Sequence, residues 1–366
     1  MRTWGKKKKL LLAAAMVLVF LAGVLIGGAV YWNHMLDQIG DADETVPTLS
    51  QQELDALIGT TGPTVPETTS PEETWPVVTS DETITNIMLV GQNWREDEQN
   101  KLSDTMILCS INRETKTMTM VSILRDLYVP LPAYAGRGSG RNRINVCYAL
   151  GSSWKGTSEG GMEMLALCVE QNFGIHVDHT IEVSFDTFTA LIDAMGGVEV
   201  DVTEEEAAYM TEKVGYIGEV TPGPQTLSGS EALAYARIRA IDSDRQRSVR
   251  QRTVITSLID KCRSMGLMEL LAMAEDVLPL IITDMTNEEI TNYIWEFLPM
   301  VRDIQLESIT IPADNETLPD SMWMKNIVIY GYPSDVVECD TKRNGIYLRQ
   351  ALGIEEPEAE RESPET

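Results

Sequence analysis

Apolar positions along the chain fall into three patterns. Near the N-terminus, Leu10 to Trp32 is an unbroken run of 23 residues without a charge. At about 1.5 Å per residue it is long enough to cross a hydrocarbon layer of about 30 Å. From Asn86 onward, short apolar runs bounded by turn residues predict strands: Asn86 to Val90 ending at Gly91, Thr105 to Asn112, and Lys116 to Leu124, with a tight turn over Arg113 to Thr115. Further strands are expected at Thr180 to Ser184, at Val198 to Val202 with strict alternation, at Ile304 to Ile311 and at Asn326 to Ile329. Apolar residues at helical spacing predict helices over Gly161 to Gln171, Phe185 to Met195, Ser228 to Ile238, Ser248 to Ser264, Met268 to Leu278, Asn287 to Leu298 and Thr341 to Leu352. Ser228 with Glu231, and Ser50 with Glu53, have the spacing of capping boxes. Strands alternating with helices predict an α/β class, an α/β/α sandwich around a central mixed sheet.

The apolar run is longer than a signal-peptide core and ends in Tyr31 and Trp32 instead of small residues, so it reads as one retained transmembrane helix. Arg2 and Lys6 to Lys9 precede it, which keeps that end in the cytoplasm and sends the remainder outside the cell. Five segments follow: a cytoplasmic basic segment (1–9), the membrane span (10–32), a Pro/Thr/Glu-rich extracellular linker (33–82), a folded domain (83–354) and an acidic tail (355–366). The five cysteines are odd in number and widely spaced, and no CxxC occurs, so neither a zinc ribbon nor an essential disulfide is expected.

Charge narrows the partners. The chain holds 29 basic and 56 acidic residues, a formal net charge of −27. About −16 of it belongs to residues 83–354. A nucleic-acid binder needs the opposite balance, so no nucleic-acid partner is expected. Any anion site must be local and built against an adverse field.

One such site is written into the sequence. Arg237, Arg239, Arg245, Arg247, Arg250 and Arg252 fall within sixteen residues. Guanidinium grips phosphate oxygens through paired N–H groups and keeps its charge. Arg247 and Gln251 are four apart on a helix and share a face, from which Arg250 is displaced. The competing reading is a solvated basic face paired with Asp242 and Asp244. Ser103-Asp104-Thr105 precedes a strand, where a carboxylate can hold Mg²⁺ or be an ordinary turn residue. Ser122 to Asp126 closes another strand and carries Arg125, either as a site residue or in a local ion pair. GxxxxGK[ST], HExxH and GxSxG are absent. His176 and His179 lack a third ligand nearby and are not read as a metal site.

Together these stretches resemble the LytR-CpsA-Psr wall-polymer ligases: NIMLVGQN, KLSDTMILCSIN, MVSILRDLYVPLP, RINVCYALG, VDHTIEVSFDTFTALIDAMGGVEVDV and LSGSEALAYARIRAIDSDRQRSVRQR, in the family's order. The resemblance implies a membrane-anchored extracellular phosphotransferase. It would move a glycopolymer such as teichoic acid or capsule from a polyprenyl-pyrophosphate lipid to a peptidoglycan hydroxyl. It assigns Arg125, Arg237, Arg239, Arg247, Arg250 and Gln251 to the pyrophosphate, and Arg125, Arg237, Arg239 and Asp104 to catalysis. Asp104 and Asn93 would hold Mg²⁺, or Mn²⁺ in its place. Asn93 stands where the family usually has an aspartate, and Leu124 where it has a proline. A carbonyl donor without charge should weaken metal binding. A non-catalytic lipid binder and a pyrophosphate hydrolase are the alternatives. A transcriptional regulator is disfavoured, because the span would place the domain across the membrane from DNA.

Overall fold

The computed structural model describes residues 31–41, 46, 48–50, 53, 76–92, 102–133, 140–213, 219–329 and 332–355. Its centre is a seven-stranded mixed sheet in the order β1-β10-β7-β2-β3-β4-β11. The strands are β1 (Gly40–Asp41), β2 (Ile84–Gln92), β3 (Ser103–Asn112), β4 (Thr117–Ile123), β7 (His179–Ser184), β10 (Ile282–Thr283) and β11 (Gln305–Ile311). β2, β3 and β4 form an antiparallel meander, while β7 joins β2 and β11 joins β4 in parallel. The expected mixed α/β fold is therefore present. Three ribbons stand apart from the sheet: β5 (Tyr128–Pro130) with β6 (Arg141–Arg143), β8 (Val198–Val202) with β9 (Gly223–Leu227), and β12 (Met322–Ile329) with β13 (Tyr332–Cys339).

The helices are α1 (residues 31–36), α2 (Val146–Lys155), α3 (Ser158–Phe173), α4 (Phe185–Ala194), α5 (Glu204–Lys213), α6 (Gly229–Ala236), α7 (Asp244–Ser264), α8 (Leu267–Val277), α9 (Asn287–Phe297) and α10 (Thr341–Leu352). One face of the sheet packs on α2, α3 and α10. Met88, Val90, Met106, Leu108 and Val121 meet Tyr148, Leu165, Phe173 and Leu348 there in one continuous core. Alternation along β2 explains the choice of face: Met88, Val90 and Gln92 are buried, whereas Ile87, Leu89 and Gly91 on the other side are only partly so. α2 and α3 approach so closely that a Cβ on Gly151 would meet the Gly160 carbonyl at 2.0 Å, so only glycine fits.

The second face looks toward α7, α8 and α9. Ile107, Cys109 and Met120 pack with Leu89 and Ile255 in a small cluster. Beside it lie two cavities. One, of about 310 Å³, is lined by apolar side chains including Ile87, Ile181, Ile290, Ile294, Phe297 and Leu298. The other, of about 820 Å³, lies along α7 and is bounded by Met120, Arg252, Thr256, Lys261 and Ser308. α5, α6 and the far side of α7 build a separate apolar cluster with β8 and β9.

Two expectations change. Residues 33–82 were assigned to a linker, yet Met35 and Leu36 are each 1% exposed, β1 pairs with β10, and Thr79 bridges to Ile175. The physical reason is that the few large apolar residues of this polar stretch have a groove to enter beside β10. Val198–Val202 is a strand as expected and the strand expected at Asn326 to Ile329 begins four residues earlier, at Met322, but each belongs to a two-stranded ribbon instead of the central sheet. The capping bonds of Ser50 with Glu53 are both present, at 2.7 and 3.3 Å. All five cysteines are free thiols, and burial pushes the Cys109 thiol up to about 12. Among the described residues no helix is long and apolar enough to cross a membrane. The span read at 10–32 lies outside them except for Tyr31 and Trp32.

Candidate functional site

The strand directions gather the C-terminal ends of β2, β4, β7 and β11 and the start of β3 at one end of the sheet. Crevices of this kind, beyond the carboxyl ends of strands, are where open α/β sheets bind ligands. Asp104 starts β3, and Arg125 and Asp126 follow β4. α7 begins at the same end, with the Ser243 hydroxyl accepting the Gln246 N–H as its cap. Its first two turns carry Asp244, Arg247 and Gln251.

Asp244 is the hub. Its Oδ1 lies 3.0 Å from Arg247 Nη2, 3.5 Å from Arg239 Nε and 3.8 Å from Arg125 Nε. Arg125 also donates through Nη1 to Asp104 Oδ1 at 2.5 Å and lies 3.6 Å from Asp126. Arg247 Nη2 donates to the Asp104 carbonyl at 3.1 Å, and Gln251 Nε2 to the Thr105 hydroxyl at 2.8 Å. Arg125, Arg239, Arg247, Gln251 and Asp104, named from separate parts of the sequence, thus meet in one place. Arg247 is buried and Arg239 is 47% exposed, so the cluster runs from the interior to the surface.

Arg237 stands at the rim. Its guanidinium lies 4.6 Å from the centre of the Phe185 ring, at the start of α4. A cation–π contact of this kind holds the guanidinium in place against the ring. Asn93 lies outside the described residues.

Arg250 departs from its expected place. It is buried with Nε on Glu206 at 2.6 Å, and its Nη atoms on Asp242 and the Ile238 carbonyl. Every guanidinium nitrogen is engaged, so this residue ties α5 to α7 and is not brought into the cluster. The reason is its angular offset from the Arg247–Gln251 face. Arg245 turns away as well, donating to the Pro312 carbonyl at 2.8 Å. Arg252 is buried against the sheet, with Nη1 on Ser122 Oγ at 2.5 Å and Thr310 Oγ1 at 3.2 Å, and no described carboxylate within ion-pair distance.

The electrostatics are taut. Burial lowers the Arg247 pKa, and Arg125 beside it adds to the effect against Asp244. Burial also raises the Asp126 carboxyl, in spite of Arg125 and Arg143. Arg125 Nε, Arg247 Nε, Asp244 Oδ1 and both amide atoms of Gln92 are buried without a hydrogen bond. Buried polar groups without hydrogen bonds are costly, and a polar ligand would satisfy those of Arg125 and Arg247. The sequence suggests Asp244 as a neutralising partner or a weaker candidate proton acceptor, and not as the hub of the cluster. Its position in the first turn of the helix carrying Arg247 was the available signal.

Comparisons with known proteins bear on the family and the fold. The LytR_cpsA_psr family model matches residues 60–342. The teichoic acid transferase TagT of Bacillus subtilis (strain 168) is 33% identical over 187 residues, which is 50% of this chain and 53% of TagT, so this chain spans about half the length of that relative. TagU of Bacillus cereus (strain AH820) is 27% identical over 339 residues, 91% of this chain and 95% of TagU. Both carry the name polyisoprenyl-teichoic acid–peptidoglycan teichoic acid transferase. Among solved structures, YwtF (TagT) with bound octaprenyl pyrophosphate lipid superposes with a TM-score of 0.54 at 22% identity, covering 75% of this chain and 94% of that one, which shows a shared fold. With its arginine cluster, its sheet and a family match over most of its length, this chain belongs to the LytR-CpsA-Psr family.

Proposed function

We propose that the protein is a membrane-anchored extracellular phosphotransferase that moves a glycopolymer from a polyprenyl-pyrophosphate carrier to a peptidoglycan hydroxyl, leaving a phosphodiester. The observation that carries this reading is the convergence of Arg125, Arg239 and Arg247 on Asp244, at the end of the same sheet face that bears the apolar cavity. Thr105, which accepts from Gln251, pairs with Gly91, four residues along β2 from the cavity-lining Ile87. Four residues of strand span about 13 Å. A ligand with an anionic head and a long apolar tail matches both ends of that path. The names of TagT and TagU support the substrate class.

In this reading the incoming diphosphate displaces the Asp244 contacts and takes the three guanidinium groups. Arg237 joins from the rim, held on Phe185. The acceptor oxygen attacks the polymer-side phosphorus, the bridging P–O bond breaks, and polyprenyl phosphate leaves with its electron pair. Fixed guanidinium groups stabilise the charge that gathers on the leaving oxygen. Asp126, whose affinity for a proton is raised by burial, takes the proton of the attacking hydroxyl.

The proposal includes a divalent cation, although no group of three or more His, Cys, Asp or Glu side chains among the described residues could hold one. Asp104 gives Oδ1 to Arg125, and among the described residues its Oδ2 accepts no hydrogen bond. One carboxylate oxygen suits Mg²⁺, which prefers few carboxylates together with phosphate oxygens and water. Asp104 and Asn93 would hold it. When bound, the ion supplies positive charge against the phosphoryl oxygens.

The test is one assay of the full chain with a short lipid-pyrophosphate-linked glycan, with and without peptidoglycan oligomers and Mg²⁺. Transfer to peptidoglycan is the expected result. Release of free glycan in both arms would mean a hydrolase, and binding without turnover a lipid binder.

A further inference from the structure

α8 is mostly Leu, Met and Ala, with the three acids Glu269, Glu275 and Asp276, and none of its described side chains is buried. Met268 is 76% exposed, and Leu270 and Met273 are only half-covered. A helix this apolar ordinarily hides a face in the core. Next to it, Trp295 of α9 is 64% exposed. Clusters of exposed large apolar side chains mark interaction surfaces.

The chain itself indicates what covers this one. The 23-residue apolar run ends at Tyr31 and Trp32, and both touch the patch. The Tyr31 hydroxyl donates to Glu275 Oε2 at 2.6 Å, near the end of α8. Trp32 Nε1 donates to Thr291 Oγ1 at 3.0 Å on α9, with its ring 6.4 Å from that of Trp295. The run therefore meets the domain in the notch between α8 and α9. Rings of this type, apolar with one polar tip, favour the membrane–water boundary.

We infer that the exposed surface of α8, together with Trp295 and the start of α1, lies on the outer leaflet of the membrane and seats the domain there in a fixed orientation. The inference rests on the membrane-anchor part of the proposed function and adds a second contact to it. The occupant is the apolar boundary of the bilayer, and not an anionic headgroup layer: residues 265–301 contain no Lys or Arg. Several acids of this region are engaged by protein groups, Glu275 among them through the Tyr31 hydroxyl. Glu269 and Glu289 accept the cap N–H groups of Gly266 and Thr286, and Glu296 pairs with Arg113 at 3.1 Å. The same orientation brings the apolar cavity, lined by Leu278, Ile281, Ile290 and Ile294, next to the bilayer. A prenyl tail then passes from lipid to protein with little exposure to water.

The experiment uses the full chain in phosphatidylcholine vesicles whose acyl chains carry bromine, a short-range quencher of tryptophan emission. The chain holds seven tryptophans, so the Trp295 signal is taken as wild type minus Trp295→Phe. Trp323, exposed on the β12–β13 ribbon, serves as control through Trp323→Phe. Brominated lipid is expected to remove most of the Trp295 signal and to leave that of Trp323. Met268→Glu should lower transfer from a long-chain membrane-borne donor several-fold and leave transfer from a short water-soluble donor unchanged. Trp295 emission that brominated lipid leaves intact, in protein that floats with the vesicles, would overturn the docking surface alone. Shielding of Trp295 by a second copy, seen as a cross-link through Met268→Cys, would overturn it too. Protein that fails to float would overturn the anchor reading, and this inference with it.

Discussion

The two faces of the central sheet share their strands but not their covering. One face is sealed by α2, α3 and α10, with Met88, Leu108, Leu165 and Phe173 fully enclosed. The other carries only a small cluster around Ile107 and Met120, and beside it two cavities of about 310 and 820 Å³. Both faces have the apolar residues to make a core, so composition alone does not explain the difference. The helices do: α2 and α3 pack on each other through glycine contacts and give the sheet apolar side chains, whereas α7 meets it through Gln251 and Arg252 where a core helix would have Leu or Ile. The sealed face supplies stability, and the open one gives up packing for room and charge. Arg125 Nε, Arg247 Nε and Asp244 Oδ1, buried without a hydrogen bond, lie at the end of the open face, as expected where function competes with packing.

That contrast can be tested by substitution. The largest effect should come from the open end: Arg239→Ala is expected to lower transfer at least ~100-fold, as for removal of a group that stabilises developing charge. Its thermal midpoint should stay near wild type, because the side chain is 47% exposed. On the sealed face, Phe173→Ala should cost about 3–5 kcal/mol in denaturant unfolding. Leu89→Ala, its counterpart on the open face, should cost only about 1 kcal/mol, since that side chain is already part-exposed. Equal losses at the two positions would remove the distinction between the faces. Arg250→Ala should cost about 3–5 kcal/mol by stranding Glu206 and Asp242, with catalysis changed only through stability.

Two smaller effects sharpen the picture. Burial disfavours the charged His179 ring, but its hydrogen bond to Asp284 and the charges of Asp284, Glu289 and Asp178 outweigh it and hold its pKa above the ordinary value of 6.5. A raised value in the folded state stabilises the protein fully below that ordinary value. The contribution is lost as pH rises through the raised one. The stability gap between wild type and His179→Gln, measured by unfolding at several pH values, should therefore be widest below 6.5 and close in alkali. Asn93→Asp should tighten Mg²⁺ by adding a charge and should not reduce activity; a marked loss would mean that this position does not face a metal.

Much of this was readable before any coordinates. Alternation and turn residues located β2, β3, β4 and β7 closely, because each is set by local pattern. The arginine site was legible in parts, from the excess of Arg in an acidic chain and from the Arg247–Gln251 spacing. Contacts between distant segments were hidden. Arg250 and Glu206 are 44 residues apart, and Arg247 and Asp104 are 143 apart, so no window on the sequence pairs them. α1 was masked by its polar surroundings, since Met35 and Leu36 are two apolar residues in a stretch that otherwise has the composition of a linker. β12 spans eight residues where the sequence suggests four, because Lys325 and Asn326 interrupt its apolar pattern between Met324 and Ile327.

The central claim is that guanidinium groups at the sheet end hold a diphosphate while the open face holds its tail. The most direct measurement is calorimetric binding of geranylgeranyl pyrophosphate, geranylgeranyl phosphate and geranylgeraniol to the full chain in detergent, repeated with Arg247→Ala. The account predicts that affinity falls in that order and that Arg247→Ala removes most of the preference for the pyrophosphate. Equal binding of pyrophosphate and alcohol, unchanged by Arg247→Ala, would contradict it.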